Sequence, residues 1–459
     1  MHIVALNHAY PPGQAATGQL LAELAEGLAE RGHRVTIITA DHAGERPVDH
    51  AGVAGSPATA LAGHAGPSRE GVAGSPATAL AGHAGPSREG VEVRRVRTTH
   101  LGKGRLWQRA LDYASFYAGA MVELGRLELG GARPDVFMPL TTPPLIGVGA
   151  QLAAALRGAP VVQVVQDLYP DLAVELGAVS RRGAVHRAWR LATRLSLQRA
   201  RRVVVLSEGM RRRVRAYGVA DEAIDTIPNW ALSEVESAPA SGVEARLAYG
   251  LGERMVVMYS GNLGAGHAFE TILAAAEALA HRGDIVFAFV GDGVRRGEVE
   301  RFIAARGLSN VRLFPLAARA RLAESLAAAD LHVITLRDEV AGMLVPSKLY
   351  GILGAARPAL FIGPIGSDVA QLVAEAGAGS VVPNGDVAGA VRAITALADD
   401  PERGRAAGAA GRRFLLDRLS REAAVTRYEA TLARAIEAGG AGGAGGAAEG
   451  MDMRRRSGR

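Results

Sequence analysis

"HIVALNHAYPPGQAATGQLLAELAEGLAERGHRVTIITA", residues 2–40, contains an apolar run, a loop of small residues, an amphipathic segment and a second apolar run. Leucine and alanine recur at helical spacing over residues 19–33, and Gly32 is typical of a helix end. A strand, a helix and a second strand form a βαβ unit, whose parallel strands need both faces covered. The stretch therefore predicts a Rossmann-like parallel sheet.

This alternation continues along the first half of the chain and then begins again. The polar loops "TTPP" (141–144) and "QDLYPD" (166–171) each follow an apolar run, and "DTIPNWA" (225–231) leads out of the first half. The run "MVVMYS" (255–260) opens a second series of strands and helices. We predict an α/β protein with two Rossmann-like domains facing across a cleft. The first domain is predicted to span residues 1–230 and the second residues 231–420. An amphipathic helix at 421–438 and a disordered low-complexity tail at 439–459 follow them.

Composition limits the class of protein. The chain has 459 residues, of which 48% are hydrophobic, so it can bury two sizeable cores. It has no cysteine, which excludes disulfides, thiolate metal sites and a cysteine nucleophile. The sequence shows neither a signal peptide nor an apolar run long enough for a bilayer, so we expect a cytoplasmic protein. The net charge of +6 suits phosphates, anionic lipid or nucleic acid, but an arginine-rich composition produces the same excess.

One segment is duplicated. Residues 52–70 recur identically as residues 71–89 and are rich in Gly, Ala, Ser and Pro. Solenoid repeats diverge and need several copies, so we interpret residues 52–89 as a flexible, solvated insertion. The repeated His64 and His83 could form a metal pair, but a solvated loop is the better interpretation of this composition. No metal site is therefore predicted.

Two glycine-rich turns follow strands of the second half. "SGNLGAGH" (260–267) resembles a loop whose backbone N–H groups approach a phosphate, but glycine also merely ends strands. "GDG" (291–293) with Gly297 is one residue off the dinucleotide fingerprint, and no acidic residue closes a following strand. That departure disfavours a dehydrogenase.

"VPSKLYG" (345–351) is more specific. Lys348 is one of only two lysines in the chain, and a helix is expected to start at Pro346 or Ser347. A lysine in the first turn opposes the helix dipole unless an anion is bound nearby. A compact ammonium suits a phosphate there, and the alternative is a solvated lysine on a surface helix.

Seven motifs follow one another along the chain: "PPGQAATGQLLAELAEGLAERGHRVTIIT", "QDLYPDLAVELG", "SEGM", "IPNWA", "YSGNLGAGHAFETIL", "FVGDGVRRGEVE" and "VPSKLYGILGAARPALFIG". Together they resemble the family 4 glycosyltransferases of the GT-B fold, and most closely the branch that builds cell-envelope polysaccharides and glycoconjugates. The likeness covers residues 1–437, the duplication omitted.

The resemblance implies a retaining transfer, hexosyl or N-acetylhexosaminyl, from a nucleotide diphosphate sugar to a glycan, a lipid-linked sugar or a small molecule, without a metal or other cofactor. The last helix would cross back to the first domain, the second domain would hold the donor, and the first would hold the acceptor. The implied donor residues are Gly261, Asn262, Leu263, Gly264, His267, Gly291, Asp292, Gly293, Leu316, Ser347 and Lys348. The implied acceptor residues are Gln14, Thr17, Gln166 and Asp167.

The chain departs from the family pattern where charge matters. Asn262 and His267 stand where many members have Arg and Lys, and Met343 and Gly351 stand in place of two glutamates. Lys348 is therefore the predicted stabiliser of the leaving group, with Arg337 and His267 as helpers and Glu339 as a replacement acid without a clear place. Asp167 is a predicted hydrogen-bond acceptor for the attacking hydroxyl, and its alternative is a loop-capping aspartate.

Residues 181–202 are predicted to form a helix with eight arginines and no acid. This helix either lies against anionic lipid, which would place the enzyme at the inner face of the cell membrane, or is an ordinary surface helix. Nucleic acid is not among the predicted partners. Two other functions stay open: a nucleotide-sugar epimerase or hydrolase on the same fold, and a non-catalytic protein that binds a nucleotide sugar.

Overall fold

The computed structural model describes residues 1–13, 15–41, 89–101, 106–129, 133–237 and 239–456. The predicted acceptor residue Gln14 lies outside the described residues. So do residues 52–88 of the duplication, with both of its repeated histidines.

The first domain is built on parallel strands in two short sheets. One has the order β3-β2-β1-β4 and the other β5-β6-β7. A single parallel bridge between Phe137 and Val161 joins them. The strands are β1 (His2–Leu6), β2 (Arg34–Ala40), β3 (Val91–Val96), β4 (Val136–Pro139), β5 (Val162–Val165), β6 (Arg202–Val205) and β7 (Ile224–Thr226).

Helices cover both faces of these sheets. They are α1 (Ala16–Glu30), α2 (Leu106–Leu129), α3 (Ile146–Arg157), α4 (Asp171–Glu175), α5 (Ala184–Arg199) and α6 (Glu208–Ala216). The predicted helix at 181–202 was too long, because Gly183 is extended and Arg202 already pairs with Val162 in the sheet. Helix α2 was not predicted.

The second domain has one six-stranded parallel sheet in the order β10-β9-β8-β11-β12-β13. Its strands are β8 (Met255–Ser260), β9 (Ile285–Val290), β10 (Val311–Phe314), β11 (Leu331–Thr335), β12 (Ala359–Ile362) and β13 (Gly379–Val382). Its helices are α7 (Ser233–Glu236), α8 (Val243–Ala248), α9 (Glu270–Ala278), α10 (Arg296–Arg306), α11 (Leu322–Ala327), α12 (Lys348–Gly354), α13 (Asp368–Glu375), α14 (Val387–Asp399) and α15 (Pro401–Arg418). The prediction of two Rossmann-like α/β domains is confirmed.

The last helix, α16 (Arg421–Arg456), returns to the first domain. Tyr428 and Leu432 are buried in the core that contains α1, and the Glu429 carboxylate accepts a 2.6 Å hydrogen bond from Arg31. The predicted crossing helix is therefore confirmed. Its backbone stays helical to Arg456, although residues 439–459 were predicted to be disordered. This segment has no proline, which would break a helix, although its many glycines are poor helix formers.

The two domains meet at loops that follow strands of the first and the second domain. Leu168 N donates to Met343 O at 2.8 Å, and Asp167 forms an antiparallel bridge with Leu344. Gly209 N donates to the Asp368 carboxylate at 2.7 Å. The loop after β5 thus lies against the segment that leads into α12. Among the helices of the described ranges, none combines the length and apolar character needed to cross a bilayer.

Candidate active site

The loop after β8 forms the floor of the candidate site. Gly261 has φ +121°, and a Cβ added there would lie 3.0 Å from Cε of Lys348. Only glycine leaves that space free and adopts this backbone easily. The Tyr259 hydroxyl donates to Asn262 O at 2.7 Å and so fixes the turn.

The turn after β9 packs directly on this floor. Leu263 N donates to Asp292 O at 2.8 Å. Gly291 has φ +152°, and a Cβ there would lie 2.0 Å from Gly261 O. A Cβ at Gly293 would lie 2.5 Å from Leu263 O. The two glycine-rich turns that the sequence singled out therefore form one backbone-to-backbone unit.

Lys348 lies over this unit as the first residue of α12. Its Nζ is 3.1 Å from Nε2 of His267, 3.4 Å from Asn262 O and 4.8 Å from the ring centroid of Tyr259. Nδ1 of His267 lies 2.6 Å from Thr335 O and must donate to it, so Nε2 is free to accept from the ammonium. The lysine is thus held by neutral partners.

The electrostatics of the pair follow from burial. Burial lowers the pKa of Lys348 to about 7. Burial and the neighbouring Lys348 lower the pKa of His267 to about 3, so the imidazole is neutral. In the described residues, no carboxylate forms an ion pair with Lys348. A half-buried cation without a counter-charge is suited to an anionic ligand.

Two further predicted donor residues border the same floor. Ser347 occupies the N-cap position of α12, yet its hydroxyl does not cap the helix. Leu316 follows β10, whose Phe314 O accepts a 3.0 Å hydrogen bond from Gly291 N. The amide of Asn262 lies beside Gly264, where an added Cβ would be 2.9 Å from Nδ2. The structure therefore brings the predicted donor residues together at one edge of the sheet.

The predicted helper Arg337 lies next to the floor with its charge already paired. Its backbone N donates to Gly266 O at 3.0 Å, and its guanidinium is 3.5 Å from Glu339. Met343 is buried, and the Gly351 site has little room, since a Cβ there would lie 3.3 Å from Leu326. Over the described ranges, no group of three or more histidines and carboxylates is arranged to hold a metal ion.

On the acceptor side, Asp167 faces the second domain. Its backbone N donates to the Thr141 hydroxyl at 3.1 Å, and its bridge partner is Leu344. Burial raises the pKa of the Asp167 carboxyl to about 6. Nothing in the described part of the chain hydrogen-bonds that carboxylate, so it does not cap its own loop.

The other predicted acceptor residues are not gathered around Asp167. The Gln166 side chain is buried and accepts from Asn229 at 3.3 Å within the first domain. Thr17 is half-buried in the first turn of α1.

Sequence reasoning missed Tyr259 and Thr141. Tyr259 supplies the ring beneath Lys348, and the Thr141 hydroxyl accepts from the backbone of Gln166 and Asp167. An aromatic residue just before the glycine-rich loop and a threonine at the end of a neighbouring strand were the available signals. Neither residue type is specific enough alone, because both are also common in strands.

Two family models match the chain. Residues 16–230 match the glycosyl transferase 4-like domain, and residues 254–400 match the glycosyl transferases group 1. The two matches fall on the two structural domains.

Curated relatives and a solved structure agree with these matches. The Escherichia coli (strain K12) glycosyl transferase WcaI, named for colanic acid biosynthesis, is 28% identical over 52% of this chain and 60% of its own length. The Pseudomonas aeruginosa glycosyltransferase WbjE is 27% identical over 65% of this chain and 74% of its own. Anabaena HepE, solved with UDP-glucose, aligns with a TM-score of 0.65 at 14% identity over 95% of this chain and 100% of its own. The chain thus spans less than two thirds of WcaI, and the likeness to HepE shows the fold alone.

Proposed function

Because this chain belongs to the family 4 glycosyltransferases of the GT-B fold, we propose that it transfers a sugar from a nucleotide diphosphate sugar to an acceptor hydroxyl. The observation that carries the proposal is the Lys348 ammonium, unpaired in the described residues and poised above a glycine floor. Anabaena HepE, which shares this fold, was solved with UDP-glucose, and this supports a donor of this class.

In the proposed mechanism, the diphosphate leaving group binds beside Lys348, where the ammonium lies against the loop at Gly261. Breaking the bond from the sugar to the β-phosphate oxygen develops negative charge on that phosphate. The fixed ammonium stabilises this charge more in the transition state than in the ground state, which accelerates the step. His267 holds the ammonium in place and, being neutral, does not compete with the phosphate for it.

The acceptor hydroxyl approaches from the first domain. Asp167 accepts a hydrogen bond from that hydroxyl, and its raised pKa suits a group that takes up a proton near neutral pH. We assign a retaining outcome, in which the hydroxyl attacks the face that the diphosphate leaves. The bridge between Asp167 and Leu344 brings the acceptor loop to the segment that precedes Lys348, so that acceptor and donor meet in one cleft.

The test is nucleotide diphosphate release from a panel of donor sugars, with and without simple sugar and lipid-linked acceptors. We expect release that depends on an acceptor and a product heavier by one sugar. Release without an acceptor would indicate a hydrolase, conversion of the donor an epimerase, and binding without consumption a non-catalytic protein.

Charge neutralisation by Lys348 leads to a prediction about metals. Since the ammonium supplies the positive charge at the leaving group, we expect turnover to survive saturating EDTA with less than about a twofold loss. A chelator that abolishes turnover, with Mg²⁺ or Mn²⁺ restoring it, would contradict this assignment.

The pH dependence tests both proposed groups. Ionised Asp167 and protonated Lys348 are required, so kcat/KM should rise through about pH 6 and fall above about pH 7. Asp167→Asn is expected to remove the acid limb. Lys348→Arg is expected to remove the alkaline limb, because arginine stays protonated. An alkaline limb that persists unchanged in Lys348→Arg would assign it to another group.

We further propose that the acceptor is presented at an anionic membrane surface. α3 and α5 pack side by side and leave apolar side chains exposed, among them Leu152 at 58% and Leu156 at 79%. α5 also carries exposed arginines, such as Arg194. Apolar contact plus basic residues, each contributing about 1 kcal/mol near anionic lipid, suits peripheral binding.

Vesicle flotation checks this surface. We expect binding to phosphatidylglycerol vesicles and a loss of at least about fivefold in Leu152→Gln/Leu156→Gln, since each change removes exposed apolar area that the bilayer would otherwise bury. Leu247→Gln, at an equally exposed leucine of α8, is the matched control. Equal flotation of both variants, or no preference for anionic lipid, would contradict the proposal that this surface binds a membrane.

A further inference from the structure

A second charged feature lies beside the active-site cleft. A cavity of about 690 Å³ opens between α4, α5 and α6. Its wall contains six basic side chains: Arg181, His186, Arg187, Arg190, Arg194 and Arg213. We name it the arginine cavity. The proposed mechanism uses none of these residues.

Few of these charges are neutralised. Among the described residues, two carboxylates line the cavity, Asp171 and Glu175, against five arginines. Glu175 pairs with Arg181, and Asp171 accepts from the Tyr217 hydroxyl at 3.0 Å. The wall therefore carries an excess of three positive charges when His186 is neutral.

Two of the arginines are especially available. No ion pair or hydrogen bond holds the guanidinium of Arg187 or Arg194 in the described structure, and both side chains are exposed toward the opening. The Arg190 guanidinium lies 5.4 Å from the ring centroid of Tyr217, which keeps it at the wall. Neighbouring arginines without counter-charges repel one another, so a bound anion would lower the electrostatic energy of this wall.

The position links the cavity to the acceptor side. Met343 lines it, and the Met343 carbonyl accepts from Leu168 N. The next residue, Leu344, is the bridge partner of Asp167. Arg213 also donates to Ala341 O at 2.8 Å, so the same segment of the second domain closes one side of the cavity. The bridge between Asp167 and Leu344 thus lies between the arginine cavity and the proposed acceptor carboxylate.

We propose that the arginine cavity binds the phosphate groups of a phosphorylated or diphosphate-linked acceptor. The inference rests on the proposed function and names the acceptor class of that same reaction. Guanidinium groups bind phosphate through two parallel hydrogen bonds, and several of them suit more than one negative charge. A volume of about 690 Å³ holds a diphosphate together with part of what it carries.

Calorimetric titration of the full chain with inorganic pyrophosphate tests the site without turnover. The titration uses Lys348→Ala as background, because pyrophosphate could otherwise bind at the donor site. We expect one pyrophosphate per chain, and at least about a tenfold weaker Kd after Arg187→Gln/Arg194→Gln, since each charged hydrogen bond is worth more than a kcal/mol. Both arginines are exposed, so the thermal midpoint should stay within about 2 °C.

Arg199→Gln/Arg212→Gln is the matched control: it also removes two positive charges, one on α5 and one on α6, at exposed residues outside the cavity wall. It should change the pyrophosphate Kd by less than about threefold, because only screened long-range attraction is lost. Equal weakening in both double variants, or no pyrophosphate binding in the Lys348→Ala background, would overturn the proposal. Neither result depends on donor turnover, so this test and the test of the proposed function fail separately.

The phosphate has two sources, a soluble sugar phosphate or a lipid-linked diphosphate. A second titration uses neutral phosphatidylcholine vesicles that carry farnesyl diphosphate. Tighter binding there than to inorganic pyrophosphate, lost in Arg187→Gln/Arg194→Gln, assigns a lipid-linked acceptor. Equal affinity for both ligands, with the same loss in the variant, assigns a soluble one. Binding to the vesicles that survives in the double variant would contradict the cavity as the site.

Discussion

Lys348→Ala is expected to lower kcat by about 10² to 10³, the cost of removing one preorganised donor that stabilises a developing oxyanion. The Nζ atom is held 3.1 Å from His267 above the loop at Gly261, with no carboxylate paired to it in the described structure. Losing the ammonium removes the positive charge that the proposed mechanism places next to the β-phosphate. Steady-state kinetics at saturating donor measure the effect.

The loss should not come from unfolding. The folded pKa of Lys348 is about 7 against an ordinary 10.5, so the unfolded chain holds more protons between these pH values. Stability therefore falls as pH drops through that window, and the charged lysine costs the fold most at pH 7 and below. Removing it should keep or raise the thermal midpoint. Arg301→Ala, at an exposed arginine of α10, is the control, and a kcat for Lys348→Ala within about threefold of the parent would contradict the assigned role.

Gly291→Ala is expected to abolish measurable binding of the nucleotide diphosphate and to destabilise the second domain by about 1–3 kcal/mol. The added Cβ would lie 2.0 Å from Gly261 O, and the backbone at Gly291 has φ +152°, which alanine adopts only with strain. Relief requires the loop at Gly261 to move, and that loop is the floor beneath Lys348. Chemical denaturation and calorimetry report the two effects.

A glycine without these constraints provides a control, because it shows whether the effect comes from this position or from any glycine-to-alanine change. Gly366 is exposed, has no atom within 4 Å of an added Cβ, and lies outside the left-handed region. Gly366→Ala should leave both stability and ligand binding unchanged. A Gly291→Ala variant that binds as tightly as the parent would show that the two turns do not form the donor floor.

The sequence predicted the features that depend on local patterns. Apolar runs of four to seven residues fall in parallel strands such as β2 and β8, because buried strands read as continuous apolar segments. Lys348 was placed in the first turn of its helix by the preceding proline, which disfavours helix before it. The resemblance to the glycosyltransferases, rather than any local pattern, implied one site for the two glycine turns and the lysine, and the structure brings them together.

The features that depend on contacts distant in the sequence were not predictable in this way. The 3.1 Å contact between Lys348 and His267, and the ring of Tyr259 beneath them, join residues that lie far apart along the chain. The bridge between Asp167 and Leu344 depends on how two domains meet. The inward turn of Gln166 depends on Asn229. Sequence periodicity carries no information on such pairs.

The most direct measurement is calorimetric titration of the parent chain and Lys348→Ala with UDP, GDP, ADP and dTDP. The account predicts that the parent binds at least one of these nucleotide diphosphates at one per chain, and that Lys348→Ala binds it at least about tenfold more weakly, since a charge-assisted contact is worth more than a kcal/mol. Binding of equal strength in both proteins, or no binding to any of the four, would contradict the claim that Lys348 and its glycine floor hold the diphosphate of a sugar donor.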